Sequence, residues 1–130
     1  MIRDSFTGKT LFSDKELQCK CCGFSRFADG FEDKLRELRM MLSEPMTVTS
    51  CCRCEKHNKE SGGAKGSYHL VSNAVSDGTC AVDIARRHPE YDARLIQIAL
   101  SLGWSLGLAK TFIHLDRRVD FGQQRAIYTY

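Results

Sequence analysis

The sequence predicts an α+β fold, a single small domain with helices packed on an antiparallel sheet. Its 130 residues match the length of one domain, and 42% of them are hydrophobic, which is enough for one core. Apolar residues recur at helical spacing in two segments, residues 29–43 and 90–102. Short strand-like segments lie between and after these helices, so the sheet must be assembled from distant parts of the chain. We therefore treat residues 1–130 as one domain.

The first half of the chain predicts two helices and a strand. The stretch SDKE at residues 13–16 has the pattern of a capping box and should open a short helix. Residues 29–43 predict an amphipathic helix, and Pro45 follows its end. Residues 46–50, MTVTS, are rich in β-branched side chains and predict a strand. The apolar face of the longer helix is formed by Phe31, Leu35, Leu38 and Leu42.

The second half predicts two more strands with a helix between them. Residues 80–85, CAVDIA, form a short apolar segment interrupted by one aspartate. Residues 90–102 predict the helix, and Gly103 is placed to end it. Residues 111–116, TFIHLD, alternate well enough for a strand.

Charge and hydropathy exclude some classes of function. The net charge of +3 is too small to indicate nucleic-acid binding by itself, so no nucleic-acid partner is expected. The amino terminus has no apolar segment of signal-peptide length, and no segment approaches the roughly 20 apolar residues of a membrane span. We expect cytoplasmic synthesis without a signal peptide, no membrane partner and a monomeric protein.

Three polar residues are candidates for a functional site, because two of them lie within apolar strands and the third follows a glycine-rich segment. Asp83 lies between apolar neighbours in CAVDI, and His114 does so in FIHLD. A carboxylate in such a strand is costly unless it is paired or bound to a metal. With His69 these residues form a set that can hold zinc and leave a fourth position open for water. Hydrogen-bonded core residues are the alternative, and Asp77 is a rival, turn-like ligand candidate.

The same stretches resemble the zinc D-alanyl-D-alanine peptidases of the hedgehog-like fold, a family that includes carboxypeptidases and phage endolysins. That family reads roughly T-S-G-[YF]-R, an asparagine, G-G-x-x-x-S-x-H, A-x-D and F-x-H-x-D. Here the corresponding stretches are VTSCCRC, GGAKGSYHL, AVDI and FIHLD, and the likeness spans about residues 12–118.

The resemblance implies one catalytic zinc and a site for peptidoglycan stem peptides. Its metal ligands fall on His69, Asp83 and His114, and its substrate-binding arginine falls on Arg53. Ser67 falls on the serine before the first histidine, where it either donates to substrate or shapes the turn. We expect a strand to begin at about Ser67 and to direct His69 at the metal.

The sequence departs from the family pattern between the first two ligands and at the general base. Thirteen residues separate His69 from Asp83, which is more than in the family. We interpret the extra residues as a longer hairpin with its tip near residues 72–78. No carboxylate or histidine immediately precedes His114. Asp116 lies on the same strand face and either orients His114 or serves as the base.

Six clustered cysteines form the third departure, since two of them replace the glycine and aromatic residue before the arginine. Two tight clusters without a signal peptide favour metal binding or reduced thiols over disulfides. A second, structural zinc, disulfides formed after release from the cell, and buried thiols all remain open. The clustered cysteines are Cys19, Cys21, Cys22, Cys51, Cys52 and Cys54.

These observations predict a zinc peptidase that hydrolyses peptidoglycan stem peptides next to D-amino acids, as an endolysin or carboxypeptidase related to phage. It would act at the bacterial cell wall after release or as part of a virion. The missing base motivates an alternative of another class, in which the fold and metal serve a wall-binding or virion structural module. A third hypothesis, a nucleic-acid-binding module built around cysteine-bound zinc, is supported only by the cysteine clusters and by a weak positive net charge.

Overall fold

A computed structural model describes all 130 residues and confirms the α+β class. The strands are β1 (Ile2–Arg3), β2 (Thr10–Phe12), β3 (Val48–Ser50), β4 (Ala81–Ala85), β5 (Ser105–Leu108), β6 (Phe112–Asp116) and β7 (Ile127–Thr129). The helices are α1 (Asp14–Leu17), α2 (Phe31–Leu42), α3 (Glu55–Glu60) and α4 (Pro89–Ser101), with a 3₁₀ turn at Arg118–Phe121. The sequence missed β1, β2, β5 and α3.

The predicted helices form at the expected places for local reasons. At α1 the Ser13 hydroxyl accepts from the Glu16 backbone N–H at 3.2 Å, and the Glu16 carboxylate accepts from the Ser13 N–H at 2.6 Å. This completes the capping box. At α4, Pro89 occupies the first turn, where its missing N–H costs no hydrogen bond.

The main sheet has five strands in the order β3-β4-β6-β5-β7. Its first four strands pair antiparallel, as predicted, but β7 pairs parallel with β5, so the sheet is mixed. A parallel strand needs a long connection. Here β6, the 3₁₀ turn and the following loop bring the tail back to the sheet edge.

Side-chain alternation gives the sheet two different faces. On β4 and β6, Val82, Ile84, Ile113 and Leu115 are fully buried in the core. Successive side chains along a strand point to opposite faces, so Asp83 and His114 project from the other face. The polar residues inside these apolar strands therefore mark the face of the sheet that does not hold the main core.

Helices α2 and α4 pack against each other over the core face. Their buried residues include Leu35, Leu38 and Leu95, each with no exposed surface, and Trp104 lies fully buried beneath them. Burying one such leucine contributes about 2 kcal/mol. None of the helices is both long and apolar enough to cross a membrane.

Candidate metal centre

Two of the three predicted ligands are placed by strand register. Asp83 on β4 lies directly opposite His114 on β6 in an antiparallel pair. Such partners have Cβ atoms about 5 Å apart on the same face. The His114 Nδ1 atom is 2.9 Å from Asp83 Oδ1.

The third predicted ligand, His69, is placed by a loop, so the predicted strand at Ser67 was wrong. Residues 61–80 form turns and isolated bridges, and the segment around His69 is fixed to the Arg53 segment. The Arg53 N–H donates to the His69 carbonyl at 2.9 Å, and the Thr79 hydroxyl donates to the same carbonyl at 2.8 Å. The Ser67 hydroxyl oxygen accepts the His69 N–H at 3.2 Å, which shapes this turn.

The predicted longer hairpin is a compact turn organised by Asn73. Its side-chain oxygen accepts the backbone N–H groups of Val75 and Ser76, and its amide donates to the Gly78 carbonyl. The tip therefore lies where it was predicted, at residues 72–78. Asp77 is exposed at this tip and forms an ion pair with Arg26 at 3.0 Å, and it is not part of the group formed by His69, Asp83 and His114.

The three ligand candidates converge on one point. His69 Nε2 lies 3.0 Å from Asp83 Oδ1 and 3.2 Å from His114 Nδ1. Zinc bound by nitrogen at about 2.0–2.1 Å in tetrahedral geometry separates its ligand atoms by about 3.3 Å. The three residues are buried, with 3–5% of their surface exposed, yet they line a cleft.

Hydrogen bonds on the far side of both rings decide which nitrogen atoms carry protons. His69 Nδ1 lies 2.8 Å from the Cys51 carbonyl, which only accepts, so this nitrogen must donate. His114 Nε2 lies 2.9 Å from an Asp116 carboxylate oxygen and must also donate. When both rings are neutral, they present two lone pairs toward the Asp83 oxygen, and three acceptors that meet with no donor among them are a donor set suited to a cation. The donor set therefore fits zinc.

Asp116 is fully buried behind His114 rather than exposed to the cleft. Its carboxylate also accepts from Arg118 at 2.8 and 2.9 Å. Burial opposes ionisation of this carboxyl, but the hydrogen bonds from His114 and Arg118 hold its pKa well below the usual range. Asp116 is therefore an ionised partner that fixes the orientation and tautomer of His114.

Replacing Asp116 by asparagine is expected to lower the affinity for zinc by about 10–100-fold, because the ring of His114 loses its charged acceptor. The amide also faces the Arg118 guanidinium. A chelator-competition titration measures the affinity, and Asp120→Asn is the control, since Asp120 pairs with Arg117 instead. Equal affinities in both variants would show that Asp116 does not tune the site.

Arg53 joins the metal centre to the loop after β3. Its guanidinium donates to Ser50 Oγ at 2.9 Å, to Asn58 Oδ1 at 3.2 Å and to Asp83 Oδ2 at 3.4 Å. These contacts use three of its five N–H donors, so two remain for a ligand in the cleft. Asn58 is buried on α3 and was not predicted as a site residue.

The first two glycines of GGAKGSYHL are needed for different reasons, one for its backbone conformation and the other for its lack of a side chain. Gly62 has a φ of +72° with open space around it, so only its backbone conformation matters. At Gly63 a Cβ would lie 2.1 Å from Asn58 Oδ1 and 3.0 Å from an Arg53 nitrogen. Gly63 therefore permits the close approach of the loop to the Asn58–Arg53 pair.

A Gly63→Ala substitution is expected to destabilise the fold by about 1–3 kcal/mol and to lower activity, because its methyl group displaces Asn58 and with it Arg53. Thermal unfolding and a hydrolysis assay measure the two effects. Gly62→Asn is the control, since asparagine tolerates a positive φ and meets no neighbour there. A stable, fully active Gly63→Ala protein would contradict the packing argument.

The cleft over the metal centre has a volume of about 430 Å³ and includes Ser67 and Arg53 in its wall. Sequence reasoning missed several wall residues, because the tail and the loop carry no motif for them. The guanidinium carbon of Arg118 lies 5.0 Å from the centre of the Tyr68 ring and 5.7 Å from the centre of the Tyr128 ring. Other wall residues are Lys65, Phe112 and Tyr130.

The structure separates the six clustered cysteines into two groups, and all are free thiols. Cys51 and Cys52 belong to the hydrophobic core, and their thiols donate to the carbonyls of Ala81 and Arg26. Cys19, Cys22 and Cys54 bring their sulfur atoms within 4.8 Å of one another. Cys21 is exposed beside this group.

Comparison with known proteins agrees with the geometry. Residues 10–116 match the Peptidase M15 family, and this range contains all three ligand candidates and Arg53. No curated protein sequence matched the chain. Because the family match covers most of the sequence and the histidine–aspartate–histidine set fits zinc, this chain belongs to the Peptidase M15 family of zinc-dependent metallopeptidases.

Proposed function

We propose that this protein hydrolyses peptidoglycan stem peptides at an amide next to a D-amino acid. The observation that carries the proposal is the convergence of His69 Nε2, Asp83 Oδ1 and His114 Nδ1 at the floor of an open cleft. A catalytic zinc keeps a position free for water, whereas a structural zinc has four protein ligands. Three protein ligands beside a cleft favour catalysis.

Zinc bound there would lower the pKa of a water molecule and polarise a substrate carbonyl. The remaining work falls to this chain. Asp116 and the Cys51 carbonyl keep the two histidine rings in the tautomers that leave Nδ1 of His114 and Nε2 of His69 unprotonated. The protein therefore presents preformed acceptors and no ring must turn when the metal binds.

Arg53 is the residue we assign to the substrate. It is 12% exposed at its side chain, and its fork is held by three partners, so two fixed donors remain. Such donors stabilise the oxygen of an attacked carbonyl or bind a terminal carboxylate. Lys65 and Arg118 add positive charge to the cleft wall, which suits the carboxylates of a stem peptide.

Ser67 takes a smaller role in this proposal. Its hydroxyl oxygen accepts the His69 N–H, and this hydrogen bond shapes the turn that precedes His69. Its hydroxyl hydrogen is still available to a substrate carbonyl, because a hydroxyl donates as well as accepts. The cleft position of Ser67 supports this second contact.

One observation favours a second candidate, a wall-binding or virion structural module of the same fold. The only carboxylate and histidines in the cleft wall are the three metal ligands. Asp116 cannot act as the base from its buried position, because both of its oxygens are engaged. A module that binds the wall without cutting it would need no base.

A digest of purified peptidoglycan separates the two candidates. The protein is incubated with walls of several stem types, with chelator and with zinc re-added, and the products are identified by mass spectrometry. We expect chelator-sensitive release, restored by zinc. Free D-alanine would identify a carboxypeptidase, and cleaved cross-links would identify an endopeptidase of the endolysin type. Binding to walls by a zinc-loaded protein without any product would support the module instead.

A further inference from the structure

A second group of candidate ligands is formed by the segment after α1 and by the residue that follows Arg53. The sulfur atoms of Cys19, Cys22 and Cys54 lie within 4.8 Å of one another although nothing covalent joins them. Tetrahedral zinc with Zn–S bonds of about 2.3 Å holds its sulfur atoms about 3.8 Å apart. The three thiols therefore need only small movements to share one ion.

A fourth thiol lies in the same turn. Cys21 directly precedes Cys22, although it is not one of the three residues whose sulfur atoms lie within 4.8 Å of one another. Cys21 is exposed, so turning its side chain toward the group would displace no core residue. Four thiolate ligands are the donor set of a closed, structural site.

The backbone is already arranged as in a turn that binds metal through sulfur. Cys19 and Cys22 have C-x2-C spacing, and Gly23 follows them with a φ of +74°. The Gly23 N–H donates to the Cys19 carbonyl and the Cys19 N–H donates to the Phe24 carbonyl, both at 2.8 Å, which closes the loop. The Cys54 N–H donates to the Cys19 sulfur and the His57 N–H donates to the Cys54 sulfur, each at 3.4 Å. Such donors stabilise thiolates.

We propose that Cys19, Cys21, Cys22 and Cys54 bind a structural zinc ion as four thiolates, separately from the histidine–aspartate–histidine centre. Binding releases the thiol protons to solvent and involves no oxidation. Soft sulfur ligands select zinc over magnesium or calcium. Cys51 and Cys52 take no part, because their side chains are buried in the core.

An ion at this site would hold together two segments of the chain close to Arg53. Cys54 directly follows Arg53 and caps α3, which carries Asn58, the partner of the guanidinium. An ion at Cys54 would fasten the segment between α1 and α2 to the base of Arg53. The inference does not rest on the proposed peptidase activity, since a metal count tests it directly.

Metal content and spectroscopy test this site. The purified protein is loaded with Zn²⁺, and zinc per chain is measured for the wild type, Cys22→Ser, Cys54→Ser and His69→Ala. We expect two equivalents in the wild type and about one in each variant. Lys20→Ser is the matched control, because Lys20 lies in the same loop without a thiol, and it should retain both ions. With Co²⁺ in place of zinc, thiolate-to-metal charge-transfer absorption should appear in the wild type and in His69→Ala.

The Co²⁺ spectrum of the wild type keeps the test decisive even where a cysteine variant does not fold. Absence of the charge-transfer absorption would overturn the proposal, as would zinc content unaffected by Cys22→Ser and Cys54→Ser. Fewer than the seven free thiols after denaturation and chelation would indicate a disulfide and also overturn it. Loss of the ion at His69 with retention of the thiolate signal would leave this proposal standing whatever the outcome for the peptidase.

Discussion

Replacing His69 by alanine is expected to abolish hydrolysis while the protein stays folded. The substitution removes one of three ligands, so the ion is lost and with it several kcal/mol of transition-state stabilisation. That corresponds to a fall in rate of about 10³-fold or more. The fold should tolerate the change, because the loop around His69 is held by its backbone carbonyl, which accepts from Arg53 and Thr79.

The measurement compares zinc content, thermal unfolding and peptidoglycan hydrolysis in His69→Ala with those in His88→Asn. His88 is an exposed residue that caps α4 and does not line the cleft, and asparagine caps a helix equally well. The control should keep its activity and metal. Undiminished hydrolysis by a folded His69→Ala protein would remove His69 from the site, and equal loss in the control would point to instability instead.

The positions of Asp83 and His114 could be predicted because each is a polar residue within an otherwise apolar strand. An apolar strand with one charged residue has two faces, and a polar residue on it must find a partner. The two strands pair in register, so the two exceptions meet. The sequence therefore indicated both the fold and most of the candidate site from the same residues.

The placement of His69 could not be predicted from periodicity. Its segment has no strand partner and is fixed by contacts to Cys51, Arg53 and Thr79, which lie 10 to 18 residues from His69 in sequence. Tertiary hydrogen bonds here replace the local pattern that sequence reasoning relies on. The resemblance to the family nevertheless pointed to His69, which the fold brings beside Asp83 and His114.

Residues that position other site residues, without being ligand candidates themselves, could not be predicted from the sequence. Arg118 lies in none of the sequence motifs, yet two nitrogen atoms of its guanidinium donate to the Asp116 carboxylate. Gly107 gave no signal either, although a Cβ there would lie 2.6 Å from the Tyr128 ring in the cleft wall. Such roles depend on the return of β7 to the sheet edge, which no local pattern encodes.

Replacing Arg53 by lysine is expected to lower kcat/KM for stem-peptide hydrolysis by about 10²–10³-fold. Lysine keeps the positive charge but replaces a planar fork with a single flexible ammonium group. It cannot reach Ser50, Asn58 and Asp83 together and also offer two fixed donors to substrate. Loss of one donor to a developing oxyanion costs roughly 3–4 kcal/mol.

The division of that loss between kcat and KM distinguishes the two roles of Arg53. A fall in kcat with unchanged KM would mean that the guanidinium acts on the oxygen of the attacked carbonyl, where charge develops only in the transition state. A rise in KM alone would mean that it holds a terminal carboxylate, which is charged before and during the reaction. The second outcome would favour a carboxypeptidase, since only that substrate ends beside the scissile amide.

Zinc content must be measured in the same variant, because Arg53 also contacts Asp83 Oδ2, the oxygen of this ligand candidate that neither histidine contacts. Retained zinc with reduced turnover would place the defect in substrate handling. Arg94→Lys is the matched control, since Arg94 pairs with Glu44 and neither residue lines the cleft. If Arg53→Lys behaved as this control does, the arginine would be structural, and its three hydrogen bonds would serve only to hold the loop after β3 against the metal centre.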